Sequence, residues 1–189
     1  PAAPAPKPEV VVKLGHVAPM TGPQAHLGKD NESGARLAIE ELNAQGLEIG
    51  GAKVTFELLG EDDQADPKQG SIVAQKLVDA KVAGVIGHLN SGTTIPASKL
   101  YSDAGIPQIS GSATNPKYTQ QGFKTAFRVM ANDVQQGKSL GEFAAMYLSV
   151  WSNACWPLMI KSDPAKPARL DLPIDATVTS SARQAIGEL

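Results

Sequence analysis

Hydrophobic positions along this chain switch between two periods. Residues 9–17 (EVVVKLGHV) form a β-branched run that predicts a buried first strand. Residues 30–45 follow with Ala35, Ala38, Ile39 and Leu42 at helical spacing, closed by Gly46 as a C-terminal cap. Residues 53–59 (KVTFELL) predict a second strand. The pair Asp66-Pro67 then offers a side-chain cap followed by a proline suited to the first helical position. The helix behind it carries Val73, Leu77 and Ala80 on one face. Residues 82–87 (VAGVIG) are short and apolar, as expected of a central strand covered on both sides. A helix over 91–104 turns Ala97, Leu100, Tyr101 and Ala104 inward. Strands are expected over 106–110 and 124–130. A last helix over 133–148 would turn Leu140, Ala144 and Tyr147 inward.

Strands alternating with helices of this length imply an α/β fold, a parallel sheet wound on both faces. Ligands of such sheets bind outside the carboxyl ends of the strands, where loops lead into helices. The segments to search are therefore 18–28, 61–66, 88–94 and 110–116, each rich in Gly, Ser, Thr, Asn or Asp.

Composition narrows the chemistry. The 189 residues suit one domain, or one and a fragment. With 17 basic and 19 acidic side chains the net charge is −2, which offers nucleic acid no electrostatic footprint. No apolar run approaches the ~20 residues of a membrane span. One cysteine and three scattered histidines (His16, His26, His88) argue against a disulfide framework and a cysteine-rich metal site. The opening PAAPAPKP reads as an extended arm over 1–8, without the charged-then-apolar pattern of a signal peptide.

Each loop carries alternatives. HLNSGTT (88–94) runs directly into a helix, where Ser91 is placed as an N-cap beside unpaired backbone donors. That end of a helix favours an anion, and Ser91 can equally serve only its own helix. SGSATNP (110–116) holds three hydroxyls and an asparagine, a ligand surface or ordinary turn chemistry. APMTGPQAHLG (18–28) lacks the spacing of a dinucleotide or Walker loop. Its Gly22 and Gly28 provide tight turns and Leu27 an apolar wall, or the whole is plain surface. Glu61, Asp62 and Asp63 are expected as a solvated acid run at a strand end, with Asp66 capping the next helix. His88 has no nucleophile nearby and is expected as a hydrogen-bonded structural histidine. Asn31-Glu32-Ser33 matches a glycosylation acceptor by chance. No nucleophile elbow or phosphate loop is present, so no catalysis and no cofactor are expected.

Taken in order, LGHVAPMTGPQAHLG, GARLAIEELNAQG, DDQADPKQ, VIGHLNSGTTIPAS and ISGSATNPKYTQQG resemble the periplasmic leucine/isoleucine/valine-binding proteins, type I receptors of ABC importers. The likeness runs from about Val11 to about Leu148. It implies the first of two α/β lobes that close on a free amino acid. Ser91 would donate to the ligand carboxylate by hydroxyl and backbone N–H. Thr114 would do likewise, the carbonyl of Ala113 would accept from the ammonium, and Leu89 and Leu27 would lie near an aliphatic side chain. The partners implied are an amino acid and an inner-membrane ABC permease, in the periplasm. Some family members staple this lobe with two cysteines, but Ala65 and Asn90 stand at the corresponding positions. Past Leu148 the resemblance stops, and both tryptophans and the cysteine fall within 151–156.

The expected organisation is thus an arm over 1–8, a ligand lobe over 9–130, a crossover helix over 131–148 and a divergent tail over 149–189. The second lobe is expected to be missing or replaced by this irregular tail, the ligand site to be half a site, and the bare face to favour self-association. A partner-binding or regulatory lobe without a small-molecule ligand is the alternative.

Overall fold

The computed structural model describes residues 8–154 of the chain, with side chains described through residue 145. The expected arm before Pro8, the tail beyond Ala154 and the side chain of Tyr147 lie outside the described residues. The chain divides into two units, one ending at Asn132 and one starting at Asp133.

In the first unit the strands are β1 (Glu9–Ala18), β2 (Glu48–Ile49), β3 (Ala52–Asp62), β4 (Gly84–Gly87), β5 (Gln108–Ser110) and β6 (Ala126–Arg128). The helices are α1 (Ala25–Ala44), α2 (Pro67–Asp79), α3 (Ser91–Asp103) and the single turn α4 (Lys117–Gln120). They build one six-stranded sheet in the order β2-β3-β1-β4-β5-β6. Every pairing is parallel except that of β2 with β3. The expected doubly wound sheet is therefore present, with a two-residue antiparallel edge that the periodicity does not reveal. Chain direction across the sheet reverses between β1 and β4, because the chain first goes to β3 on one side and returns through β4, β5 and β6 on the other. At such a switch point neighbouring loops part and leave a crevice.

Sequence explains the layers. Val73, Ala74 and Leu77 of α2, with Ala97 and Tyr101 of α3, recur at helical spacing and pack with Val17 and Val85 of the sheet into one buried cluster. Burial on this scale stabilises by roughly 1.5–3 kcal/mol for each large side chain. On the opposite face α1 buries Ala35 and Ile39, whereas Ala38 points to solvent. There Asn43 binds both peptide groups of Phe56, at 2.8 and 2.9 Å, which fixes the end of α1 to β3. Asp66 caps α2 by accepting from the backbone N–H groups of Lys68 and Gln69, with Pro67 at the first turn, as the sequence predicts. Gly46, at φ +62°, follows the end of α1 in the left-handed conformation expected of it.

Several boundaries move. Helix α1 begins at Ala25 rather than at residue 30, so Leu27 and Gly28 are helical and not part of a loop. Gly28 does not serve a turn: a Cβ there would lie 2.0 Å from the carbonyl oxygen of Pro19, so glycine lets helix and loop touch. Ala104 is the exposed end of α3 rather than a core position. Ile109 and Phe127 of β5 and β6 are 42% and 49% exposed.

In the second unit α5 runs over Asp133–Ala154, six residues past the break expected at Leu148. Leu140 and Ala144, expected inward, are exposed. An apolar stripe at helical spacing records a face suited to burial, not what covers it. Among the described residues no helix is long and apolar enough to cross a membrane.

Candidate functional site

The four loops beyond the carboxyl ends of β1, β3, β4 and β5 are tied together by named hydrogen bonds. The loop after β4 is the most deeply set. His88 is fully buried, and its Nδ1 lies 3.0 Å from Asp63 Oδ2 while its Nε2 lies 3.2 Å from the hydroxyl of Tyr101. Burial pushes the His88 pKa down, against the pull of Asp63. Burial also works against the charged form of Asp63, but the bond to His88 and the N–H of Ala65 outweigh it and hold the carboxyl below its usual value. Burial raises the Tyr101 phenol, which therefore stays protonated. The chain of donors follows: Tyr101 O–H donates to Nε2, and Nδ1–H donates to an ionised Asp63.

His88 is thus the structural histidine that the sequence implies. Asp63 corrects the expectation, because it is fully buried rather than solvated. Asp62, half-buried, accepts from the Met20 N–H at 2.8 Å and from the Thr21 hydroxyl, and so pins the loop after β1. Burial acts against its ionised form too, yet those donors and the Gln64 N–H hold its pKa down. Glu61 pairs with Lys76 at 2.6 Å. The three carboxylates have three different partners, and among the described residues no cluster of His, Cys, Asp and Glu could hold a metal.

Ser91 also corrects its expectation. The residue preceding α3 in extended conformation is Asn90, and Ser91 is the first helical residue. Its Oγ accepts from the backbone N–H of Asn115 at 3.2 Å, so the hydroxyl spans to the next loop instead of capping α3. Accepting there leaves the hydroxyl proton to donate. The Asn90 carbonyl takes the N–H groups of Thr93 and Thr94, so the N–H groups of Ser91 and Gly92 stand at the open end of the helix. The Asn90 side chain donates to Gln24 Oε1 at 2.8 Å, joining this loop to the start of α1.

The structure therefore brings the two main candidate bends together. Ser91, at the start of α3, and Thr114, in the loop after β5, are both half-exposed, as is Leu89. Leu27 is 47% exposed on the first turn of α1, the element joined to the same rim through Gln24 and Asn90. Ala113 is fully buried and spends its N–H on Ser110 Oγ at 3.0 Å. Sequence reasoning counted the hydroxyls of Ser110 and Ser112 but not their backbone partners, and it missed the Gln24–Asn90 link. Only the density of Ser, Asn and Gln in these loops hints at them.

Comparison with known proteins shows which family the chain belongs to. The family described as Periplasmic binding protein matches residues 11–149. This chain belongs to that family. The Leu/Ile/Val-binding protein homolog 1 of Brucella abortus is 46% identical over 135 residues, 71% of this chain and 35% of that protein. The leucine-, isoleucine-, valine-, threonine- and alanine-binding protein of Pseudomonas aeruginosa is 40% identical over 134 residues, again 71% of this chain and 35% of the relative. Among solved structures, an ABC transporter substrate-binding protein of Desulfitobacterium hafniense in complex with Leu matches with a TM-score of 0.64 and 32% identity. It covers 73% of this chain and 39% of the other. The branched-chain amino acid substrate-binding protein LivJ of Streptococcus pneumoniae, in complex with isoleucine, matches with a TM-score of 0.60 and 32% identity, over 66% of this chain and 35% of its own. The chain thus spans about a third of the length of these relatives.

Proposed function

We propose that the rim between β4 and β5 is the first-lobe half of a site for a free aliphatic amino acid, in a periplasmic receptor that delivers its ligand to an ABC permease. The observation that carries the reading is the 3.2 Å bond from Asn115 N–H to Ser91 Oγ, which sets two polar bends side by side at the carboxyl ends of adjacent strands. A zwitterion needs donors for its carboxylate and acceptors for its ammonium, because burying either charge unpaired is costly. Ser91 supplies a hydroxyl proton and the open helix end, Thr114 a second hydroxyl and N–H. The Ala113 carbonyl would accept from the ammonium, a contact that requires this buried residue to turn its carbonyl outward. Leu89 and Leu27 give the side chain an apolar wall, in keeping with relatives named for leucine, isoleucine and valine.

One wall leaves the ligand charges partly hydrated and buries little hydrocarbon, so the described lobe binds weakly. Adding isoleucine to the 15N-labelled chain at millimolar concentrations should shift the amide signals of 89–92 and 113–115. Ser91→Ala combined with Thr114→Ala should remove the response. Shifts confined to other residues, or none, would overturn the site, and micromolar or tighter affinity would overturn the half-site view. The bare apolar surface of Ile109 and Phe127 supports self-association, read by sedimentation as a concentration-dependent mass.

A further inference from the structure

Parallel pairing of β4 with β5 ends at Ile86 and Ile109, just before the chains diverge into the two bends. Beyond that point serine hydroxyls continue the connection. Ser110 Oγ donates to the His88 carbonyl at 2.9 Å and accepts from the Ala113 N–H at 3.0 Å. Ser112 Oγ donates to the Leu89 carbonyl at 2.7 Å. With Ser91 Oγ accepting from Asn115, the second bend is fastened to residues 88, 89 and 91 of the first. Ser110 is fully buried, so it cannot reach a ligand, and Ser112 spends its proton on Leu89.

We infer that Ser110 and Ser112 act as positioning residues through their hydroxyls, which lock the two ligand bends into one platform and so set affinity without themselves contacting the amino acid. The inference rests on the amino-acid reading of the rim. Its physical content is that the second bend is otherwise held only along its β6 side, by Arg128 on the Asn115 carbonyl at 3.2 Å and the Val129 N–H on the Ser110 carbonyl at 3.3 Å. Residues 110–116 hold only small or polar side chains, and a loop with few buried apolar contacts opens locally unless its backbone is held. Removing the Ser110 hydroxyl frees the Ala113 N–H of the second bend, removing that of Ser112 cuts its tie to the Leu89 carbonyl of the first, and the ligand must then order both bends as it binds.

The experiment compares the parent chain with Ser110→Ala, Ser112→Ala and Ser112→Thr, by amide hydrogen exchange and by isoleucine titration. Each alanine variant should speed exchange at Ala113 and Asn115 at least tenfold, with exchange at Leu77 and Val85 unchanged. Isoleucine affinity should fall about five- to tenfold, the worth of one hydrogen bond. Threonine keeps the hydroxyl and should restore both readings, which a loss of general packing would not do. Parent-like exchange at Ala113 and Asn115 in both alanine variants would overturn the inference, whatever isoleucine does. If exchange rises as expected but the parent itself does not respond to isoleucine, the fastening stands and the ligand reading falls. Should Ser112→Ala fail to fold, Ser110→Ala and Ser112→Thr carry the comparison.

Discussion

The two bends that meet at the rim are held by different physics. The first, 88–91, grows out of the core: His88 is buried, with Asp63, just past β3, on one ring nitrogen and Tyr101 from α3 on the other. The second, 110–116, is a string of small polar residues. It is joined to the first by serine hydroxyls and to the sheet by Arg128 of β6, which donates to the Asn115 carbonyl at 3.2 Å, and just beyond it by Tyr118 of α4, whose hydroxyl donates to the Gln108 carbonyl at 3.0 Å. The difference teaches where preorganisation comes from. A rigid wall of a binding site can be made by sinking one loop into the core and hanging its neighbour on it. The first bend should then respond to changes in core electrostatics, and the second to the loss of single neutral hydrogen bonds.

The sharpest way to break this contrast is to remove the core anchor. His88→Leu keeps the bulk of the ring but leaves Asp63 as a buried carboxylate whose main partner is gone. Leaving a buried acceptor without its donor costs about 1–3 kcal/mol and more when it is charged, a large part of the 5–15 kcal/mol that keeps an ordinary domain folded. Asp63→Asn retains an acceptor for Nδ1–H and should cost clearly less. Urea denaturation of the two variants measures the order, and an equal or reversed order would show that the Asp63–His88 pair does not hold the bend.

Acid offers a milder test of the same anchor. His16 and His88 both have pKa values lowered by burial, against the raising effects of Asn31 and Asp63 respectively. The unfolded chain therefore takes up these protons first, near pH 6.5. Stability is complete above that value and falls as pH drops below it, by about 1.4 kcal/mol per pH unit for each histidine until the folded value is reached. Asp63, with its pKa held down, adds a further loss only below the unfolded carboxylate value of about 3.9. Denaturant midpoints between pH 7.5 and 5.5 should decline, and His16→Gln should make the decline shallower. A flat profile would mean that neither imidazole is buried neutral. Residues 110–116 contain no titratable side chain, so the second bend feels acid only through the first.

Much of this arrangement could be read before any coordinates. Periodicity separates strands from helices, and Asp66-Pro67 marks the start of α2, because those signals are local. The two bends could be placed at adjacent strand ends because alternation implies a parallel sheet. What stayed hidden is non-local. Asp63 looks solvated in a run of three acids until the ends of β3 and β4 bring it against His88, twenty-five residues away. Ser91 looks like a cap until a neighbouring loop supplies Asn115. Gly28 looks like a turn residue until the carbonyl of Pro19 arrives within reach of its missing side chain. The two-residue β2 and the single turn of α4 are too short to carry a period.

The smallest expected effect probes the sheet-side fastening of the second bend. Tyr118 is fully buried and the burial raises its pKa, so its hydroxyl is a permanent donor to Gln108. Tyr118→Phe removes that one neutral bond and keeps the ring in place, so the loss should be about 1 kcal/mol. It should also be independent of pH between 7.5 and 5.5, since no proton is bound or released with it. Combined with His88→Leu, the two losses should add to within about 0.5 kcal/mol if the core anchor and this fastening act separately. A coupling of 1 kcal/mol or more would mean that the second bend is sunk into the same network as the first, and that the rim is one device rather than an anchor with a neighbour hung on it.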